Sequence, residues 1–248
     1  MVKEKPGLPG WLFLFGLVFA SFHILPTFLP AFIDKPLTYG DALDFLTPFA
    51  IIPVAFLLYF RICQINPQRF LYSRLQKISS RILLGLGILL YVDGHGLHLS
   101  ANSIARLVQE ANDPELFNAV YLFDETISHS LLDAGIFLIS LSLVIASYRI
   151  FLKLNFLKNF IVLFLGACLY GFTFVVNSIE GQTVRFILPA AFIGFILSLI
   201  LYLKELKSDM KNPILLFFLT AYLLSLILLL YWGIRYKGYP EFSELGWI

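Results

Sequence analysis

The chain has 248 residues, of which 59% are hydrophobic, 17% aromatic and only 14% charged, with a formal net charge of +2. Soluble domains carry nearly twice that share of charged side chains, so the composition excludes a water-soluble globular protein and indicates an integral membrane one. The near-neutral charge gives no reason to expect a nucleic-acid partner.

Apolar stretches recur at about 11–33, 43–62, 82–102, 127–150, 157–178, 185–204 and 213–236, each close to the roughly 20 residues with which a helix crosses the hydrocarbon core. They are continuously apolar instead of alternating, which favours helices over the strands of a barrel. The expected fold is an all-α seven-transmembrane helix bundle, a single polytopic domain passing repeatedly through a plasma or inner membrane.

Lys3 and Lys5 precede the first segment, a pattern that also suits a secretory signal, with Val18 and Ala20 near the middle. The run continues through Ile33 without Asp, Glu, Lys or Arg, so a retained span is expected. Pro26 and Pro30 should bend its outer end and free backbone carbonyls there. His23, alone among Phe22, Ile24 and Leu25, reads as a packing histidine.

Basic residues collect in alternate connections: Arg61, Arg69, Arg74, Lys77 and Arg81 in the second, Arg149, Lys153 and Lys158 in the fourth, Lys204, Lys207 and Lys211 in the sixth. The other connections are acidic, with Asp34, Asp41 and Asp44 in the first, Glu110, Asp113, Glu115, Asp124 and Glu125 in the third, and Glu180 in the fifth. The bias predicts a cytoplasmic N-terminus and an extracytoplasmic C-terminus. Between the second and third spans, Phe70, Leu71 and Leu75 alternate with Arg69, Arg74 and Lys77, which suits either a short helix on anionic headgroups or a solvated basic loop. Cys63 and Cys168 are placed for packing, neither for a disulfide nor for a thiolate metal site.

The third span carries the chemistry. Its purely apolar run, Ile82 to Val92, is about 11 residues or ~16 Å, roughly half a hydrocarbon core, so the polar segment beyond must complete the crossing. That segment holds Asp93, His95, His98 and Asn102, interrupted by Gly94 and Gly96, where a kink or unwound turn is expected. His95 and His98 are three apart and His98 and Asn102 four apart, spacings that share a helical face. On the next helix Glu125, His129 and Asp133 repeat at intervals of four. Asn112, Asp113 and Pro114 make the break between them, with Asp113 placed as N-cap and Pro114 at the first helical position, so the two helices should pack antiparallel. Depths counted from Arg81 and Arg149, or from a turn near Asn112, differ by more than a helical turn, yet both leave His98 and His129 within reach of each other.

Ionisable groups at membrane depth are read as a functional site by default. A histidine set with carboxylates can hold zinc or another first-row divalent ion, leaving a position for water or substrate. His95, His98 and His129 are the expected ligands, and Glu125 or Asp133 the fourth ligand or general base. Asp93, Asn102 and Asp124 are expected behind them as hydrogen-bonding partners. Asn177, Glu180, Gln182, Arg185 and Arg235 are further outer-side groups that can line the same cavity, and Tyr231, Trp232 and Tyr236 suit an interfacial aromatic belt. Alternatively, the same histidines and carboxylates satisfy one another by hydrogen bonding and merely hold two spans together.

In outline, seven spans with intramembrane His and Asp resemble the alkaline ceramidase and adiponectin-receptor superfamily of zinc-dependent lipid amidases. The residue pattern departs from it. That family has a Ser four residues before a His and a His-x-x-x-His pair in its last span. Here Tyr91, Gly94 and Glu125 stand four before His95, His98 and His129, and the seventh segment has no His. Membership is not inferred, and the resemblance implies only the general idea of a lipid-facing metal hydrolase.

The expected function is a metal-dependent membrane enzyme, a hydrolase cleaving a lipid or another small amphiphile on the extracytoplasmic side. One alternative is a haem-binding electron-transfer protein with His98 and His129 as axial ligands, although clustered carboxylates would then face a hydrophobic ring. Another is a proton- or cation-coupled carrier, for which no inverted repeat is evident in the sequence.

Overall fold

The computed structural model describes residues 7–65, 74–111, 113–150, 152, 156–205 and 211–247. Lys3, Lys5, Arg69, Phe70, Leu71, Asn112, Lys153 and Lys207, on which some of the expectations above rest, lie outside these. Seven helical segments among the described residues are long and apolar enough to cross a membrane: Leu8–Phe28, Tyr39–Ile65, Arg74–Gln109, Pro114–Ser147, Leu157–Glu180, Val184–Lys204 and Pro213–Tyr236.

Helix α1 (Leu8–Ile24) stops short of the expected Ile33. Pro26 starts the tightening: a 3-10 turn covers Leu25–Phe28, after which β1 (Phe32–Asp34) and β2 (Leu37–Thr38) form a small antiparallel hairpin. The next span starts earlier than its apolar run suggests because Thr38 caps it. The Thr38 hydroxyl accepts the Asp41 N–H at 3.1 Å while the Asp41 carboxylate accepts the Thr38 N–H at 2.7 Å, a reciprocal capping box. Helices α2 (Tyr39–Phe45) and α3 (Thr47–Ile65) follow almost without a break.

Helix α4 (Arg74–Ala111) has 38 residues, ~57 Å of helix, nearly twice a hydrocarbon core. It does not unwind at Gly94 or Gly96. Instead Gly94 gives the backbone of the fourth segment close access: a Cβ there would stand 2.6 Å from Leu132 N and 2.7 Å from Ser128 O. Gly87 meets Gly135 in the same way one level down, so the two helices run antiparallel in near-backbone contact.

The fourth segment is composite. Asp113 caps α5 (Pro114–Tyr121) through two backbone N–H groups, as its position before Pro114 implies. Residues Leu122–Ser128 then widen into a π-helix before α6 (His129–Ser147) resumes the α spiral. Helices α7 (Phe156–Glu180), α8 (Val184–Glu205) and α9 (Pro213–Tyr236) lie close to the limits read from hydropathy. Their shared core is aromatic. Tyr170 packs against Phe15, Phe19, Phe174, Phe217 and Phe218, and its hydroxyl is satisfied by Ser140 Oγ at 2.5 Å. Cys63 and Cys168 are free thiols, half-buried.

Candidate metal centre

The π-helix decides which side chains face α4. In an α-helix, residues five apart point roughly 140° away from each other. An i→i+5 turn returns to about the same side after five residues. Asp124 and His129 are five apart and span that turn, so both reach His98. Two hydroxyls serve carbonyls in and beside the widened turn: Ser128 donates to Asp124 O, and Ser130 donates to Thr126 O at 2.5 Å.

His98, Asp124 and His129 offer donor atoms that all lie within 4.8 Å of one another. His98 Nδ1 donates to Asp124 Oδ1 at 2.7 Å, which leaves Nε2 of the ring and the second carboxylate oxygen as free donors of electron pairs. The His98 and His129 rings meet edge to face with centroids 4.7 Å apart. Glu125 joins them, its Oε2 3.5 Å from His129 Nε2. His129 is seated by Gly181, just beyond α7: a Cβ at that glycine would stand 2.5 Å from both Cγ and Nδ1 of the ring. The ring is therefore pressed on its Nδ1 side and presents Nε2 to Glu125.

His95 lies one turn below His98 and is only 5% exposed, yet neither of its ring nitrogens has a hydrogen-bond partner. Its Nδ1 stands 3.6 Å from Asp44 Oδ1. His23 packs 5.5 Å from the His95 ring, but its own nitrogens are occupied, Nδ1 donating to Phe19 O at 2.9 Å and Nε2 facing the Tyr91 hydroxyl at 3.2 Å.

All four histidines line one cavity of about 900 Å³. Among the described residues five carboxylates line it as well, those of Asp41, Asp44, Asp124, Glu125 and Glu180, against a single guanidinium, that of Arg106. Arg106 is already paired, holding Asp41 through two bonds of 2.5 and 3.0 Å and the Pro36 carbonyl at 2.7 Å. This clamp ties the outer part of α4 to α2 and the hairpin, which together form one wall. Phe28, Phe32, Phe172, Tyr231 and Trp247 line the cavity while remaining exposed, so its apolar rim is continuous with the outside of the bundle.

No family model, curated protein or solved structure matches this chain. The site is therefore argued from its own residues. Of the expected set, the fold gathers His95, His98, His129, Glu125, Asp124 and Asn102 around the cavity, with Asn102 Nδ2 3.5 Å from Asp41 Oδ1. Two members diverge. Asp93 sits on the exposed face of α4, without a place in the cavity wall. Asp133 is 1% exposed and outside the cavity wall, accepting a hydrogen bond from Thr183 Oγ1 just before α8.

Asn177, Glu180, Tyr231 and Trp232 line the cavity, whereas Gln182 and Arg185 line a second, smaller one with Thr183 and Tyr239. Arg235 stacks over Tyr236 at 5.5 Å. Sequence reasoning missed Asp44 and Arg106 as members of the site. Asp44 had a visible signal, a carboxylate at the edge of an apolar run. Arg106 had none, because its role depends on the hairpin folding back onto α4.

Proposed function

We propose that this chain is a metal-dependent membrane hydrolase that cleaves a lipid or other amphiphile. In this reading His98, His129 and Asp124 hold a divalent ion and Glu125 is the general base. The observation that carries it is the convergence of these four side chains from two helices at the wall of a cavity that is acidic inside and apolar at its open rim. Such a cavity suits a molecule with a polar reacting group and a hydrocarbon tail.

The ring geometry favours a bare ion over haem. Two imidazoles bound at ~2.0 Å on a tetrahedral ion have centroids roughly 5 Å apart. Axial ligands on opposite sides of a macrocycle need roughly 6 Å, with the ring between them. The observed 4.7 Å edge-to-face contact is closer to the first. Nitrogen-rich coordination with one carboxylate makes zinc the first candidate.

An ion in this position would polarise a scissile ester or amide carbonyl and acidify water. The chain's own groups supply the rest. Glu125, 3.5 Å from His129 Nε2, stands where it can take a proton from the attacking water and return it to the leaving group. Asn177 lines the cavity with an unpaired Nδ2, a donor for a polar group of the substrate. Loop charge orients the site toward the extracytoplasmic side, with the N-terminus cytoplasmic and the C-terminus outside.

The test is metal content of the purified full-length protein beside a screen for lipid ester and amide cleavage. His98→Ala and His129→Ala should each lose the ion and all turnover while remaining folded. Glu125→Gln should keep the ion and lose roughly 10²–10⁴-fold in rate, since an amide preserves shape but accepts no proton. Asp93→Asn should leave metal content unchanged. Full metal loading in both histidine variants, or a wild type without metal after chelator-free purification, would end the enzyme reading.

A further inference from the structure

The cavity's histidines do not form one cluster. His95 stands outside the group of convergent donors formed by His98, Asp124 and His129, 5% exposed and with both nitrogens unpartnered. Buried polar atoms are nearly always satisfied, so an orphaned ring that lines a cavity marks a position that something else fills.

We propose that His95 and Asp44 form a second divalent-cation position, beside the His98–Asp124–His129 centre and in the same cavity. The inference rests on the metalloenzyme reading above and extends it to a two-ion site. The separation of His95 Nδ1 from Asp44 Oδ1, 3.6 Å, is too long for a good hydrogen bond. It is close to the roughly 3.4 Å between two donors on one ion at ~2.1 Å from each. The Thr47 hydroxyl lies 3.3 Å from the same Oδ1 and positions the carboxylate. His23 is excluded as a third ligand because both its nitrogens are spoken for; with Tyr91, whose ring packs edge to face on His95 with centroids 4.7 Å apart, it walls the position in.

Asp44 lines the same cavity as His98 and Asp124. Two protein donors leave most of an ion's coordination open. The ligand class implied is an oxyanion on an amphiphile, a carboxylate or phosphate, whose charge a pair of ions would stabilise. The excess of carboxylates over guanidinium in the wall suits a load of divalent cations.

Mn²⁺ binding to the full-length protein in detergent tests this, measured by equilibrium dialysis with elemental analysis and by electron paramagnetic resonance. The wild type should bind two Mn²⁺ per chain, with the broadening of a coupled pair. His95→Gln and Asp44→Asn, which keep side-chain volume, should each bind one, with the spectrum of an isolated ion, and His98→Ala added to either should remove that one. A wild type that binds a single Mn²⁺, unchanged by His95→Gln, overturns the second position and leaves the first centre standing. Two ions retained in both His95→Gln and Asp44→Asn place the second ion elsewhere and overturn it as well. A wild type that binds none removes both centres together.

Discussion

At the scale of single residues, the site depends on side chains held from behind. His129 is the clearest case, because its ring lies against the backbone of Gly181 where no larger residue fits. Gly181→Ala should leave a folded protein but push the ring off its seat, weakening metal binding by about 10–100-fold, as expected when the support behind a ligand is lost; isothermal titration with Zn²⁺ measures it. An unchanged affinity would mean that His129 does not bind the ion. Asp124 illustrates a different dependence. The spacing of Glu125, His129 and Asp133 presents them as one helical face, with Asp124 expected behind the ligands as a hydrogen-bonding partner. In the fold Asp124 meets His98 at 2.7 Å, while Asp133 is bonded to Thr183. A widened turn has no strong composition signature, so spacing alone does not show which of the residues beside it come together.

At the scale of elements, the α4–α6 contact sets the distance between the two halves of the site. Gly94 lies four residues before His98, and its contacts, Ser128 and Leu132, flank His129. Gly94→Leu should therefore separate the helices, costing about 1–3 kcal/mol or more of stability, and weaken metal binding in the same variant. Gly96 offers the contrast, since nothing lies within 4 Å of a Cβ built there. Gly96→Ala should be neutral or stabilising by about 0.5–1 kcal/mol through helix propensity. Thermal unfolding in detergent compares the two, and equal destabilisation would contradict the close approach described. The two glycines are separated by one residue and look alike in sequence. Only the facing helix distinguishes them.

At the scale of the whole molecule, the loop charges predict an orientation. Basic connections on one side and acidic ones on the other would put the cavity, the hairpin and the start of α5 away from the cytoplasm. Glu115 is exposed at that start. With Cys63 and Cys168 replaced, a Glu115→Cys protein in intact cells should react with an impermeant thiol reagent. Labelling that requires permeabilisation would invert the bundle and give the site to the cytoplasmic side.

What the sequence determined by itself was the solvent and the framework. Continuous apolar runs of about 20 residues admit only helices in a bilayer, so the seven helices long and apolar enough to cross one were legible, and the cap at Asp113–Pro114 stands where local chemistry puts a helix start. The meeting of His98 and His129 was legible too, because it needs only helical spacing and matched depth. Tertiary structure decided the rest. Pro26 and the Thr38–Asp41 box fold the first connection back as a hairpin, which lets Arg106 clamp Asp41 and brings Asp44 to His95 across some 50 residues of chain. Spacing within one helix reports which residues share a face; which foreign side chain meets that face is set by packing between segments, and no local pattern encodes it.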